Sequence, residues 1–333
     1  MTARRAGTVA LWAVGVLSLA LAPFVGPQPI AWEDVIGQGG GMGARIFWEL
    51  RLPRVILAWG CGATLALCGT MFQALFRNPL AEPAMLGVSS GASFGAAMCV
   101  YLGWDSSLQL PMLGLTGMSL AAFVGALSCV MALQGVARLR PDPRGTTLLL
   151  AGVAFNFFFS SFVMIVQYLG SYHDSYRLLR WTLGGLQPIG MAEGARIAPA
   201  LLLALGTATS LSRELDLMLC GPEIAASRGV ALGRVRTVLF TSVSLCVALC
   251  VALCGPVAFV GLMAPHLARM IVGGGHRELI PASALLGGAF LTACDGAART
   301  LWAPMELPVG IVTSFLGAPF FLWLLLRRRG DAS

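Results

Sequence analysis

The chain has 333 residues, of which 57% are hydrophobic and 11% charged, with a net charge of +7 and a mean hydropathy of +0.81. Soluble domains carry roughly 25% charged residues, so this is the composition of an integral membrane protein. All 22 basic residues are arginine, and the absence of lysine excludes a Walker-type phosphate loop and Schiff-base chemistry, so any ATP used must be bound by another chain.

Arg4 and Arg5 precede a first apolar run, Val9–Val25. A cleaved signal peptide begins this way, but no small-x-small site follows before Pro23, and the run reads as a retained span. Further runs follow at Val55–Phe76, Ala84–Leu102, Leu113–Val136, Leu148–Leu169, Ile197–Leu211, Val238–Leu253, Val257–Val272, Ile280–Cys294 and Val309–Leu326. Together they predict an all-α membrane protein with about ten spans, each near the ~20 residues that cross a bilayer core or somewhat shorter. Cys254-Gly255-Pro256 fits either a tight hairpin or a kink in one long helix. The shorter late runs suit helices buried within a bundle.

With ten spans and the amino terminus inside, roughly twice as many arginines fall on one side as on the other, where Arg45, Arg51, Arg54, Arg177, Arg180, Arg196 and Arg299 lie. Arginine excess marks the cytoplasmic side, which places both termini there. The arginines are dispersed between apolar runs, a pattern of orientation and headgroup contact rather than of nucleic-acid binding.

Gly87, Gly91 and Gly95 repeat at four-residue spacing, which lets helices approach closely in lipid. Gly87-Val-Ser-Ser-Gly91 also matches the hydrolase elbow G-x-S-x-G, but that elbow needs a strand before its serine, and here the stretch opens a helical run after Pro83. Among acidic residues only Asp295 falls inside an apolar run, whereas ion-coupled carriers place ionisable groups at mid-membrane. No catalytic pair or H-E-x-x-H motif is present. The nine cysteines include no C-x-x-C pair; Cys246, Cys250 and Cys254 share a helix face and read as small apolar residues rather than metal ligands. His266 reads as structural, and His173 and His276 fall in predicted loops too scattered for a metal site. No catalytic and no metal site is expected.

Two constellations remain. In Leu215–Arg236, Pro222 suits a first helical position, Glu223 the positive first turn and Gly229 a left-handed stop, with Ile224, Ala225 and Ala226 at the centre and Ser227 and Arg228 before the stop. A helix of about two turns is marginal alone in water. It needs a groove on another protein or on this chain's own bundle. The second constellation is Arg51, Arg54 and Arg299, the last lying four residues after Asp295, a favourable helical pairing distance. These arginines suit headgroup contact, local pairing, or the steering of an acidic partner.

R-L-P-R at Arg51–Arg54, N-P-L-A-E-P at Asn78–Pro83 and L-G-V-S-S-G-A at Leu86–Ala92 resemble the permease subunits of type II ABC importers, which carry iron–siderophore complexes, haem and vitamin B12. The resemblance continues through Leu148–Ala154, Gly221–Gly229, Phe259–Arg269, Pro281–Ala289 and Glu306–Phe321, covering nearly all of the chain after Arg51. It implies one transmembrane permease domain over residues 1–333, a second permease subunit that is identical or a paralogue, two cytoplasmic ATPases holding ATP–Mg, and a periplasmic binding protein. No cofactor is implied in this chain, and the expected location is a bacterial inner membrane. By position, Arg51, Arg54 and Arg299 would meet acidic residues of the binding protein. Pro222–Gly229 would be the cytoplasmic coupling helix between spans six and seven, and Gly145, Thr146 and Thr147 would sit near the cytoplasmic gate. Ser171–Glu193 resembles the family's outer helix beside the entry. The chain is thus expected to be a transport subunit and not an enzyme. The competing readings are an ion-driven carrier for a similar ligand and a membrane-embedded enzyme.

Overall fold

The computed structural model describes residues 2–30, 33, 35, 41–104, 116–139, 146–186, 188 and 190–330, and every regular element among them is helical. The main helices are α1 (Thr2–Leu21), α2 (Leu52–Leu75), α3 (Val88–Tyr101), α4 (Gly117–Leu139), α5 (Thr146–Leu169), α6 (Tyr172–Thr182), α7 (Ala198–Ser210), α8 (Ser212–Leu219), α9 (Pro222–Ser227), α10 (Leu232–Cys254), α11 (Val260–Val272), α12 (His276–Thr300) and α13 (Val309–Gly330). The ten apolar runs fall largely on helices, except that Val257–Phe259 has no regular structure and the start of Leu113–Val136 lies outside the described residues. Among the described residues six helices are individually long and apolar enough to cross a bilayer, while α11 is shorter, and α7 and α8 belong to a pair bent by 60°.

The core runs along α2. Its apolar window is 89% buried inside the chain, against 11% for α5 at the periphery. Side chains this small allow that burial. A Cβ on Gly62 would strike the Gly287 carbonyl of α12, one on Gly287 would strike Gly62, and one on Gly69 would strike Gly261 of α11. Gly91 and Gly95 of α3 meet Gly125 and Ala121 of α4 in the same way. Lipid tails are as apolar as leucine, so helices in a membrane gain little from burial itself and are held by such close packing. The serine motif at Gly87–Gly91 is therefore a helix-packing surface, with Gly87 in the left-handed conformation (φ +74°) at the start of α3.

Two connections run deeper than the residues predict. Glu82, in the connection from α2 to α3, is buried, and the backbone N–H of Phe259 faces its carboxylate. Its neighbours include Leu65, in the middle of α2. Asp295 remains the one acid within an apolar run; Glu82, which lies outside every run, is a second buried acid. Cys254-Gly255-Pro256 is likewise neither hairpin nor kink. α10 stops at Cys254 beside Leu57, residues 255–259 descend without regular structure, and α11 begins only at the level of Leu65 and Gly69. A helix starting inside the bundle leaves orphan N–H groups in a low-dielectric setting, and the Glu82 carboxylate faces the one of Phe259.

Nearly every cysteine is buried and all are free; only Cys220 is exposed. Cys61 and Cys68 of α2 face Cys246, Cys250 and Cys254 of α10, and Cys68 Sγ lies 3.9 Å from Val243 O. The cysteine face of α10 is a packing surface against α2, and no metal-binding group of three or more His, Cys, Asp or Glu occurs among the described residues.

Candidate docking and coupling sites

The candidate residues lie at two ends of the bundle, one marked by Arg54 and the other by Pro222. At the Arg54 end the three singled-out arginines come together. Asp295 of α12 is buried, and its Oδ1 lies 2.9 Å from both Nε and Nη2 of Arg54. Arg54 Nη1 reaches Glu306 at 2.8 Å, so one guanidinium joins α2, α12 and the approach to α13. Arg299 sits one helical turn beyond Asp295, with Nε 3.1 Å from Oδ2. That approach is close but out of line for a hydrogen bond, and Asp295 Oδ2 and Arg299 Nη2 are left without hydrogen-bond partners. Arg299 Nη1 donates to Val25 O at 3.0 Å. Arg51, at the end of a π-helical turn Ile46–Arg51, donates to the carbonyls of Gln28 and Phe24.

The helical pairing distance between Asp295 and Arg299 is therefore realised as an ion pair. Arg51 and Arg299 are buried beneath the segment after α1 rather than displayed, and the reason is local: carbonyls of residues 24–28 need donors that the broken helix end does not supply.

Beside this cluster lies a cavity of about 370 Å³ lined by Arg54, Arg177, Arg180, Arg196, Glu193 and Glu306. Arg177 and Arg180 stand one turn apart on α6, whose start is fixed by Ser171: its hydroxyl accepts from Asp174 N at 3.2 Å and donates to the Asp174 carboxylate at 2.6 Å. Read from the residues, Arg177, Arg180 and Arg196 contribute only to orientation. The 3-residue spacing of the first two is the one local sign that they share a face.

At the opposite end, α9 starts with Pro222 and ends at Ser227, with Gly229 at φ +85° closing it through a bond to Ala226 O at 3.0 Å. The short helix read from Pro222, Glu223 and Gly229 is present. It buries Ala225 and turns Ile224 outward at 50% exposure. Just before it, α8 carries Asp216, which accepts from the backbone N of His276 at 3.0 Å and lies 2.6 Å from His276 Nδ1. The loop position expected for His276 is thus corrected: it is the first residue of α12 and fully buried. No sequence signal links residues 60 positions apart. Of the three residues expected at a gate, Thr146 and Thr147 open α5, and Gly145 lies outside the described residues.

The arrangement is a helical bundle with charged groups gathered at its two ends and α12 connecting them. Comparison with known proteins agrees. The hemin transport system permease protein HmuU of Yersinia pestis is 38% identical over 292 residues, spanning 86% of this chain and 85% of that one. The Fe(3+) dicitrate transport system permease protein FecD of Escherichia coli (strain K12) is 35% identical over 324 residues, 97% of each. A solved inward-facing structure of a metal-chelate type ABC transporter superposes with a TM-score of 0.79 at 28% identity, covering 97% of this chain and 99% of that one. The model of the FecCD transport family matches residues 10–327, so the motifs, the bundle and the full-length likeness converge, and this chain belongs to the FecCD transport family.

Proposed function

We propose that the chain is the membrane permease subunit of an ATP-driven ABC importer that moves a metal chelate from a binding protein to the cytoplasm. The observation that carries this reading is the separation of the two ends: a charged face at Arg54 and an exposed short helix at Pro222, joined by helices that contain no ATP-binding motif. Two ABC ATPases hold ATP–Mg and receive Pro222–Gly229. A binding protein docks at the Arg54 end, where Arg54 and Glu306 reach the surface and the buried Arg51 and Arg299 support the segment after α1. Gly145, Thr146 and Thr147 border the gate on the ATPase side. The apolar faces of α5 and α13, where Phe157, Met164, Tyr168 and Phe315 are exposed, are covered by lipid and a second permease, identical or paralogous. The membrane is the bacterial inner membrane, with both termini cytoplasmic. The cargo is a ferric siderophore complex, with haem and cobalamin as the alternatives.

Reconstitution tests the whole reading. The chain, with its ATPase and binding protein in proteoliposomes, is expected to accumulate chelate only when ATP is supplied on the ATPase side. Accumulation driven by an ion gradient with no ATPase present overturns it and selects a secondary carrier. The absorption spectrum of the cargo bound to the purified binding protein then separates haem, cobalamin and ferric chelates.

A further inference from the structure

At the end of the bundle where His276 meets Asp216, α1 leaves a groove open against α12. α1 approaches its neighbours closely at two points. A Cβ on Gly7 would come 2.8 Å from the Ile271 side chain of α11, and one on Gly15 would come 2.5 Å from Leu285 of α12. Beside residues 8–12, between those points along α1, lies a groove of about 380 Å³. Leu11, Trp12, Ala282 and Leu285 give it apolar walls, and Arg277 and Glu278, at the start of α12, add its charges.

The depth of the groove follows from α1. The apolar span of that helix begins at Gly7, so Thr8, which also lines the groove, sits at the border between lipid and water. Arg277 and Glu278 border the same groove and are exposed, which puts them at the level of lipid headgroups. Trp12 lies one turn deeper, half exposed, where interfacial tryptophans sit. The chain buries only 17% of the α1 span, so the groove opens toward lipid.

Its polar groups are of both signs. The Arg277 guanidinium offers N–H donors to phosphate oxygens, and Glu278 sets a carboxylate next to it in the chain. Among the described residues no salt bridge or side-chain hydrogen bond occupies either. Pro281, one turn further along α12 and also in the lining, has no N–H to give the Arg277 carbonyl, its partner by helix geometry. One anion-binding group thus stands with two acceptors above an apolar wall. Basic pockets between membrane helices take lipid headgroups, and the added acceptors call for a headgroup that also carries donors.

We propose that this groove binds one phospholipid whose headgroup joins a phosphate to a primary ammonium, as in phosphatidylethanolamine. The phosphate meets Arg277, the ammonium meets Glu278 and the Arg277 carbonyl, and an acyl chain lies along Leu11, Trp12 and Leu285. A primary ammonium has N–H groups to donate, as the lysine head does. The trimethylammonium of phosphatidylcholine has none, and phosphatidylglycerol has no cation to meet the carboxylate. The lipid braces α1 against the start of α12, next to the contact of His276 with Asp216. The site does not depend on the importer reading.

The test is native mass spectrometry of the full chain, delipidated in detergent and titrated with phosphatidylethanolamine, phosphatidylcholine or phosphatidylglycerol of matched acyl chains. Wild type is expected to hold one phosphatidylethanolamine at concentrations where the other two dissociate. Glu278→Gln is expected to lower the preference for phosphatidylethanolamine over phosphatidylcholine about fivefold or more, by removing a charge-assisted bond, and Arg277→Gln to weaken retention of all three lipids. Both positions are exposed, and melting as wild type shows that each variant is folded. Equal retention of phosphatidylethanolamine and phosphatidylcholine by wild type overturns the site, as does an unchanged preference in Glu278→Gln. Tighter retention of phosphatidylglycerol also overturns it, because Arg277 would then act as a plain anion site. A dimer that takes up no lipid would mean that a second copy covers the groove, and overturns it as well.

Discussion

Asp216 Oδ1 lies 2.6 Å from His276 Nδ1 and 3.0 Å from the His276 backbone nitrogen, so one carboxylate on α8 both caps α12 and fixes the tautomer of a buried imidazole. The contact places the segment leading into α9 against the helix that ends, at its other terminus, in Asp295 and Arg299.

Asp216→Ala is expected to destabilise the chain by about 1–3 kcal/mol, because it leaves a buried N–H of His276 without an acceptor. Asp216→Asn keeps an acceptor oxygen and is expected to recover most of that loss. Thermal unfolding in detergent, with amide exchange at residues 276–279, checks both. Equal melting of Ala and wild type would show that the contact contributes nothing.

Asp295 is the one carboxylate shared by Arg54 and Arg299, and both it and Arg299 are buried. Removing one partner of a buried pair leaves a charge in a low-dielectric site, at a cost of about 3–5 kcal/mol. Asp295→Ala is therefore expected to yield little monodisperse protein by fluorescence-detected size exclusion. Asp295→Leu combined with Arg299→Met removes both charges and is expected to restore part of the yield. Glu306→Gln, at a partly exposed carboxylate, should change stability by no more than ~1 kcal/mol.

Some of this architecture is legible from the residues and some is not, for physical reasons. Apolar runs bounded by arginine and proline mark helices because only a helix satisfies its own backbone in lipid. Pro222, Glu223 and Gly229 mark α9 because each suits one local position, and the i, i+4 spacing of Asp295 and Arg299 announces their pairing. The burial of Glu82 is invisible: a polar residue between Ala81 and Pro83 looks like turn chemistry, and only the tertiary position of Phe259 N–H gives it a role. Asp216 with His276, and the convergence of Arg177, Arg180 and Arg196 on one cavity, also depend on long-range packing that no local pattern encodes.

The glycine seams make a contrasting pair of substitutions. At Gly69 a Cβ would strike the Gly261 backbone, which cannot swing aside as a side chain can. Gly69→Val is expected to separate α2 from α11 and cost about 1–3 kcal/mol by overpacking, read as a lowered melting temperature. At Gly206, in the interior of α7, nothing lies within 4 Å of an added Cβ. Gly206→Ala should leave stability unchanged or raise it by up to ~1 kcal/mol through helix propensity. A tolerated Gly69→Val would mean that the two helices are not held by close backbone approach.

The short helix α9 separates fold from function most sharply. Ala225 is fully buried and Ile224 is half exposed, so adjacent residues face the chain's own bundle and the space beyond it. Ala225→Glu forces an unpaired carboxylate into the bundle and is expected to reduce folded protein. Ile224→Glu adds charge on the free side, where it should leave melting within about 0.5 kcal/mol of wild type, as surface substitutions usually do. If α9 inserts into an ATPase groove, that same Ile224→Glu is expected to lower ATP-driven chelate uptake at least tenfold, because a charge now meets an apolar pocket. Normal uptake by Ile224→Glu would place the coupling contact elsewhere. Loss of uptake together with loss of folded protein would show that the residue supports the fold rather than the partner, and the melting measurement distinguishes these outcomes on the same sample.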